Sequence, residues 1–231
     1  MISDRGRTIL ITGASTGIGA ATARRAVAAG HRVVLAARSR DTLDDLAGEL
    51  GAERALAVTV DVTEFDQQEA MVTAALERFG RLDVVWANAG FGATRGFLEE
   101  SPEHWRSMVL TNVLGVAYTI RATLPAIRAA TGHVVLTSSV AGRRSLPGSL
   151  YSATKFAVTG MGESLRQELN GTGCRVTVIE PGMVDTPFFA SKPSIEALHA
   201  EDVAEAVMWA ISQPARVDVN EILLRPTAQD G

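Results

Sequence analysis

The chain has 231 residues, 46% of them apolar and 21% charged, with a net charge of -4. That is enough for one sizeable core and short for two ordinary domains, and it is too apolar for a disordered polymer. The acidic balance without a Lys/Arg block argues against a nucleic-acid protein, no apolar run reaches the ~18 residues of a membrane span, and the lone Cys174 rules out an internal disulfide and fits a reducing cytoplasm.

The start, Met1 to Arg7, is polar and runs straight into a first strand, so no signal peptide is expected. Thr8 to Ile11 is a β-branched run. Thr12-Gly13-Ala14-Ser15-Thr16-Gly17-Ile18-Gly19 follows, then an Ala-rich helix to about Ala29. In a strand–glycine turn–helix unit, glycines let backbone N–H groups approach a phosphate, and the helix N-terminus adds partial positive charge. The spacing is Gly-x-x-x-Gly-x-Gly, not the commoner Gly-x-Gly-x-x-Gly, and a turn packed with small residues is the competing reading.

A second strand, Arg32 to Ala37, ends at Arg38, where an Arg can accept a ribose 2′-phosphate and an acidic residue would instead hold an unphosphorylated ribose. A helix over about Asp41 to Leu50 precedes a third strand, Ala55 to Val60. That strand ends at Asp61, a candidate partner for the adenine amino group or a simple strand-end cap. The next helix carries Phe65, Val72, Ala75, Leu76 and Phe79 on one face and stops at Gly80. A fourth strand, Leu82 to Ala87, leads into Asn88-Ala89-Gly90, whose small residues leave room for a ligand. A long helix runs from Pro102 to about Arg128, with an apolar stripe of Trp105, Met108, Val109, Val113, Val116 and Ile120. Asn112 sits beside that stripe, where a buried amide needs partners. The fifth strand, Gly132 to Thr137, ends at Ser138-Ser139. The sixth, Cys174 to Ile179, ends at Glu180-Pro181-Gly182. About 185–200 shows no period and is expected to be a mobile substrate lid, before a helix over Glu201 to Ile211 and a last strand, Glu221 to Leu224. Alternating strands and helices imply an α/β fold, a doubly wound parallel sheet with helices on both faces, in a single domain over residues 1–231. The four histidines, His31, His104, His133 and His199, lack ligand spacing, so no metal is expected.

The chemistry centres on Tyr151-Ser152-Ala153-Thr154-Lys155. The apolar run after it, Phe156, Ala157, Met161, Leu165 and Leu169, has helical period. Residues i and i+4 share a helix face, so the phenol and the ammonium point the same way. A fixed cation favours the phenolate and would lower a phenol that otherwise titrates near ~10, tuning it to exchange a proton with a carbonyl or alcohol oxygen. The bland alternative is a surface helix with an ordinary Tyr and Lys.

Taken in order and spacing, Thr12-Gly13-x-x-x-Gly17-Ile18-Gly19, Asp61, Asn88-Ala89-Gly90, Asn112, Ser139, Tyr151-x-x-x-Lys155 and Pro181-Gly182 resemble the short-chain dehydrogenase/reductase family in its compact single-domain branch. The C-terminal third, Glu201 to Ala206 and Asn220 to Pro226, further resembles NADP-dependent dehydrogenases of serine and other 3-hydroxy acids. The resemblance implies a Rossmann-type seven-stranded sheet of order 3-2-1-4-5-6-7 and a catalytic set of Asn112, Ser139, Tyr151 and Lys155. Tyr151 passes the proton, Ser139 orients the substrate oxygen, Lys155 lowers the Tyr pKa and holds the nicotinamide ribose, and Asn112 anchors a water leading from Lys155 to solvent.

The cofactor set implied with it is Gly13, Ser15, Thr16, Gly17, Ile18 and Gly19 in the turn, and Arg38, Asp61 and Val62 toward the adenine. Asn88, Ala89 and Gly90, then Tyr151 and Lys155, then Pro181, Gly182, Val184 and Thr186 complete it. Ala37 lacks the carboxylate that binds an NAD ribose and Arg38 offers a fork to phosphate, so NADP is the expected cofactor, with NAD as the weaker one. Two departures stand out. Ala87 replaces the first Asn of Asn-Asn-Ala-Gly. Counting thirteen residues back from Tyr151 gives Ser138, whereas Ser-Ser-x-x-Gly gives Ser139, which is chosen on the assumption of one residue missing between Arg143 and Leu150. Arg95, Arg143 and Arg144 lie in loops that border the pocket by resemblance. One could hold a substrate carboxylate, although solvated loop arginines are the default. The partner expected is a small alcohol or carbonyl compound. The face Phe156, Ala157, Gly160, Met161, Ser164 and Leu165 implies a homodimer or homotetramer. A catalytically silent NADP-bound regulator and an epimerase or dehydratase relative are the alternatives. The first has no need of all four catalytic residues, and the second usually carries a longer C-terminal substrate domain.

Overall fold

The computed structural model describes residues 6–189 and 194–229. Seven strands form one parallel sheet in the order β3-β2-β1-β4-β5-β6-β7: β1 Thr8–Thr12, β2 Arg32–Ala37, β3 Ala55–Thr59, β4 Val84–Ala87, β5 His133–Thr137, β6 Arg175–Pro181 and β7 Glu221–Leu224. The helices are α1 Gly17–Ala28, α2 Arg40–Leu50, α3 Phe65–Phe79, α4 Pro102–Val109, α5 Val116–Ala130, α6 Leu150–Glu168 and α7 Ala200–Ser212. This is the doubly wound architecture, in the strand order that the family resemblance implies.

The central strands are apolar at nearly every position because a parallel sheet with helices on both faces buries both sides. Their period of two divides the core. Ile9, Ile11, Val33, Leu35 and Trp86 pack under α1, α2 and α7. Leu10, Val34, Val85, Val134 and Leu136 pack under α3, α5 and α6. Alanines 20, 23 and 26 are buried on α1, and that smooth face lets α7 lie close to it.

The long helix after Pro102 is one run with a fault in it. Ser101 caps α4, its hydroxyl accepting from His104 N at 3.1 Å, with Pro102 in the first turn. Between α4 and α5, Leu110–Gly115 winds as a π-helix. Its wider turn advances the helical phase, about 100° per surplus residue. The stripe read as one apolar face is therefore split: Met108 and Val116 are buried, while Val109 is 41% exposed. The same fault turns Asn112 fully inward.

The point that matters for a ligand lies at the carboxyl edge of the sheet. β1 lies between β2 and β4, so the chain's winding reverses there and opens a crevice, the usual ligand position in such sheets.

Candidate active site

A cavity of about 570 Å³ fills that crevice. At one end is the turn after β1. Gly13 and Gly17 have φ of +66° and +55°, and a Cβ on Gly13 would lie 2.9 Å from Ala89 Cα, so that position accepts only glycine. Thr16 is the N-cap of α1, yet its side chain makes no capping hydrogen bond and no acidic residue stands in the first turn. Its leading N–H groups and dipole are left to an anion, which fits the diphosphate of a dinucleotide. Ser15, Thr16 and Ile18 line the cavity beside them. Gly19 does not; it lies beneath the turn, where a Cβ would stand 2.3 Å from the Gly13 carbonyl oxygen.

Beyond the turn the wall is made by the ends of β2 and β3. Ala37 is buried, and Arg38 is exposed without an ion pair among the described residues, whereas Arg40 is held by Asp44 at 2.6 Å. Asp61 Oδ1 accepts from Thr63 N at 3.0 Å and Thr63 Oγ1 at 2.8 Å. Burial, the largest influence on this carboxyl, would raise it; the Thr63 bonds and the Arg38 charge outweigh burial and hold it below the usual value. Val62 lines the cavity next to it.

The floor is a hydrogen-bonded bridge across three strands. Thr12 Oγ1 accepts from Asn88 N at 3.0 Å and Ala89 N at 3.1 Å, while Asn88 Nδ2 donates to Thr12 O at 3.0 Å. On the other side Trp86 Nε1 donates to Thr137 Oγ1 at 2.8 Å, and Thr137 Oγ1 donates to Asn88 Oδ1 at 3.2 Å. Ala87, the departure from the family pattern, is buried beside this chain and is not part of it.

At the far end stand the titratable groups. Ser149 caps α6, accepting from Ser152 N at 3.3 Å, and sets Tyr151 in the first turn. Ser139 Oγ donates to Pro181 O at 3.3 Å and accepts from Ala141 N at 3.1 Å, and it stands beside the Tyr151 hydroxyl. Ser138 does not serve there: its hydroxyl donates to the Lys155 carbonyl at 2.9 Å and pairs with Thr159 Oγ1 at 2.8 Å. Lys155 is 4% exposed, with Nζ 5.5 Å from the centre of the Tyr151 ring and 2.8 Å from the Thr137 carbonyl. Burial pushes the Tyr151 hydroxyl up to about 12, with Ser139 pulling the other way, and pushes Lys155 down to about 8. The expected lowering by the ammonium is not among the influences on this half-buried phenol: its own desolvation raises it, and Ser139 alone pulls it down.

Asn112 does not reach the cavity. Its Oδ1 accepts from Phe91 N at 3.0 Å, and its Nδ2 donates to Phe91 O at 2.8 Å and to Thr154 Oγ1 at 3.3 Å. It clamps the loop after Gly90 against α6. Of the three loop arginines, Arg143 is committed elsewhere: Nε sits 2.7 Å from the fully buried carboxylate of Glu180, and the guanidinium also reaches Glu221. Arg144 lies outside the cavity, and Arg95 lines it. The loops carrying Arg95 and Leu146 are pinned together where Gly96 N donates to Gly148 O at 2.8 Å.

Pro181, Gly182, Val184 and Thr186 line the cavity at the end of β6. Val184 pairs with Leu198 as an isolated bridge, so the expected lid leaves and returns at one point. Phe188 covers Tyr151, with ring centres 5.8 Å apart at 62°. The central part of that lid, 190–193, lies outside the described residues.

A short chain dehydrogenase family model matches residues 7–197. An uncharacterized oxidoreductase of Staphylococcus haemolyticus is 40% identical over 225 residues, 96% of this chain and 97% of that one. The chain belongs to the short chain dehydrogenase family. An alcohol dehydrogenase from the archaeon Thermococcus sibiricus, solved with 5-hydroxy-NADP, superposes on this dehydrogenase with a TM-score of 0.91 at 35% identity over 97% of this chain and 98% of that one. A closed form of serine dehydrogenase with NADP+ gives 0.92 at 32% identity, over 97% and 96%. Other solved structures of this likeness hold NAD. The dehydrogenase is accordingly an NAD(P)-dependent oxidoreductase.

Sequence reasoning did not single out Thr137 as the Lys155 partner, nor Phe91, Leu146, Phe188 and Gln229 as cavity walls. Phe188 and Phe189 carried a signal, two adjacent aromatics in a segment with no period to bury them. Gln229, beyond the last strand, carried none.

Proposed function

We propose that this dehydrogenase transfers hydride between NADP(H) and a small alcohol or carbonyl compound that bears an acidic group, with Tyr151 as proton donor and acceptor. The observation that carries the reading is the meeting of Tyr151 and Ser139 hydroxyls, over a buried Lys155, in the same cavity as the uncapped start of α1. The uncapped turn would hold the diphosphate, Arg38 the 2′-phosphate, Asp61 the adenine edge, and Asn88 to Gly90 with Pro181 to Thr186 the remainder. The bound cofactor supplies or accepts the hydride.

The residues of the chain handle the proton. A phenol raised to about 12 is fully protonated at neutral pH and so is a ready donor in reduction. Ser139 offers the same substrate oxygen a second hydrogen bond and fixes its position. When Tyr151 releases its proton, the ammonium of Lys155 faces the new phenolate and offsets its charge. Lys155 titrates at about 8, so that support fades above that pH. Asn112 acts at one remove, holding Phe91 and through it the cavity wall.

The acidic group on the substrate follows from the lining. Near Tyr151 the walls are Phe91, Leu146, Met183, Phe188 and Phe189. Arg95 is the guanidinium among the lining residues on that side, without a carboxylate partner among the described residues, while the buried Lys155 is held by the Thr137 carbonyl and Asp61, the acidic residue of the lining, stands at the adenine end. A guanidinium in that position favours a carboxylate by bidentate pairing. Phe97, Leu98 and Phe156 are 61%, 98% and 43% exposed around α4 and α6, which supports coverage by a second copy in a dimer or tetramer. The lone Cys174 supports a cytoplasmic location.

The test is turnover at the reduced-nicotinamide absorbance band with 3-hydroxy acids, 3-oxo acids and matched neutral alcohols and ketones. Tyr151→Phe should lose at least ~10²–10⁴-fold in rate with cofactor affinity retained, since the ring still packs on Phe188. A variant near the wild-type rate refutes the proton role; preference for neutral substrates refutes the acidic group.

A further inference from the structure

The last described residues of the chain return to the cavity. After β7, Gly182 N donates to Leu224 O at 2.8 Å, Pro226 is buried, and Gln229 N donates back to Pro226 O at 3.0 Å. That turn brings the Gln229 side chain onto the strand end of β6. Its Oε1 accepts from Met183 N at 2.8 Å, and Gln229 lines the cavity. The Met183 carbonyl is taken on its other side by Leu198 N at 3.0 Å. Met183, from which the segment over Phe188 departs, is therefore held at both of its backbone polar groups, its C=O by the return of that segment and its N–H by the tail.

Gly182 belongs to the same contact. A Cβ there would stand 2.3 Å from Gln229 Oε1, and 3.1 Å from both Arg225 Cγ and Pro226 Cδ. The nearest atom is the far end of a flexible side chain, so an added methyl group would first expel the Gln229 amide. The Pro-Gly at the end of β6 is thus shaped to admit this side chain, in addition to any ligand.

We propose that Gln229 is a positioning residue of the cofactor pocket: the tail, through its side-chain carbonyl, sets the Gly182–Met183 backbone against the nicotinamide end of the cofactor. This rests on the functional reading above, which puts that end of the cofactor at Gly182 to Thr186. Gln229 touches no reacting atom; it acts through the Met183 amide. An ordinary hydrogen bond at this place limits the effect to roughly three- to tenfold in affinity.

Calorimetric titration with NADPH and with adenosine 2′,5′-bisphosphate, which lacks the nicotinamide half, separates this role from a general one. Gln229→Ala should weaken NADPH binding about three- to tenfold and leave the bisphosphate unchanged. Gln229→Glu, which keeps an acceptor at the same reach, should restore most of the loss. Gly182→Ala should copy Gln229→Ala and add little to it in the double variant, because the displaced group is then absent. NADPH affinity equal to wild type in Gln229→Ala overturns the proposal, and so does an equal loss of both ligands, which marks a structural role alone. A wild-type protein that binds neither NADPH nor NADH overturns the functional reading itself.

Discussion

Replacing Lys155 by Met should make the ligand-free protein more stable at neutral pH while abolishing turnover. Lys155 is buried, and burial carries it from an ordinary 10.5 to about 8. At ~1.4 kcal/mol for each tenfold change, holding that charge inside opposes folding by about 3 kcal/mol below pH 8. Met has a similar length and no charge. It leaves the Thr137 carbonyl without the 2.8 Å donor it has now, at a cost of about 1 kcal/mol. The net gain is about 2 kcal/mol, or about 4–8 °C in Tm for a chain of this size. The pH dependence identifies the cause. Since the folded pKa lies below the unfolded one, the unfolded chain binds the additional proton between about 8 and 10.5. Wild-type stability therefore rises relative to the variant across that window, and the gap at pH 7 narrows by pH 10. Calorimetric scans of both proteins at pH 7 and pH 10 measure it. A less stable Lys155→Met, or a difference that ignores pH, would refute the argument that this ammonium is held against its own desolvation.

Ser139→Ala and Ser138→Ala should both lower Tm, because Ser139 accepts from Ala141 N and donates to Pro181 O while Ser138 bonds the buried Lys155 carbonyl and Thr159, but Ser139→Ala should lower kcat by far the more; a thermal scan beside a rate assay separates the two effects. Ala37→Asp should reverse the proposed NADP(H) preference, adding ribose acceptors and repelling the 2′-phosphate near Arg38. In the unmodified protein the single proposed charge-assisted contact should be worth about 10- to 150-fold in kcat/KM, and equal values with NADPH and NADH would remove Arg38 from the account. Sedimentation at micromolar concentration should give a dimer or tetramer, and a clean monomer would leave Phe97, Leu98 and Phe156 as bare surface.

What the sequence made legible is local in origin. The glycine turn, the strand ends and the Tyr151–Lys155 pair each depend on spacings of a few residues, and a strand or a helix turns those spacings directly into positions. The seven-strand order came from resemblance to the family, and it is the order observed. What was not legible depends on residues far apart in the chain. Arg143 reads as a free loop cation until Glu180 and Glu221 are folded against it. Asn112 reads as a polar interruption in a stripe, and only the π-turn explains how the stripe tolerates it. The titration of Tyr151 could not be read from its cationic neighbour, since desolvation, a property of the whole fold, sets its direction.

The Gly96–Gly148 contact has a consequence for how this pocket can change its substrate. Gly148 has φ of +58°, and a Cβ on it would lie 2.8 Å from Gly96 N, so this side of the clasp has no space for a side chain. One partner follows the wall that bears Arg95, and the other precedes the cap that seats Tyr151. A wider pocket made by bulk at the clasp would drag Tyr151, the proposed proton donor, with it. Variation is free on either side instead, at Arg95, Leu146, Phe188 and Phe189, which face the cavity without joining the two loops. Substitution there alters what the pocket can recognise while Tyr151, the proposed acid, keeps its place.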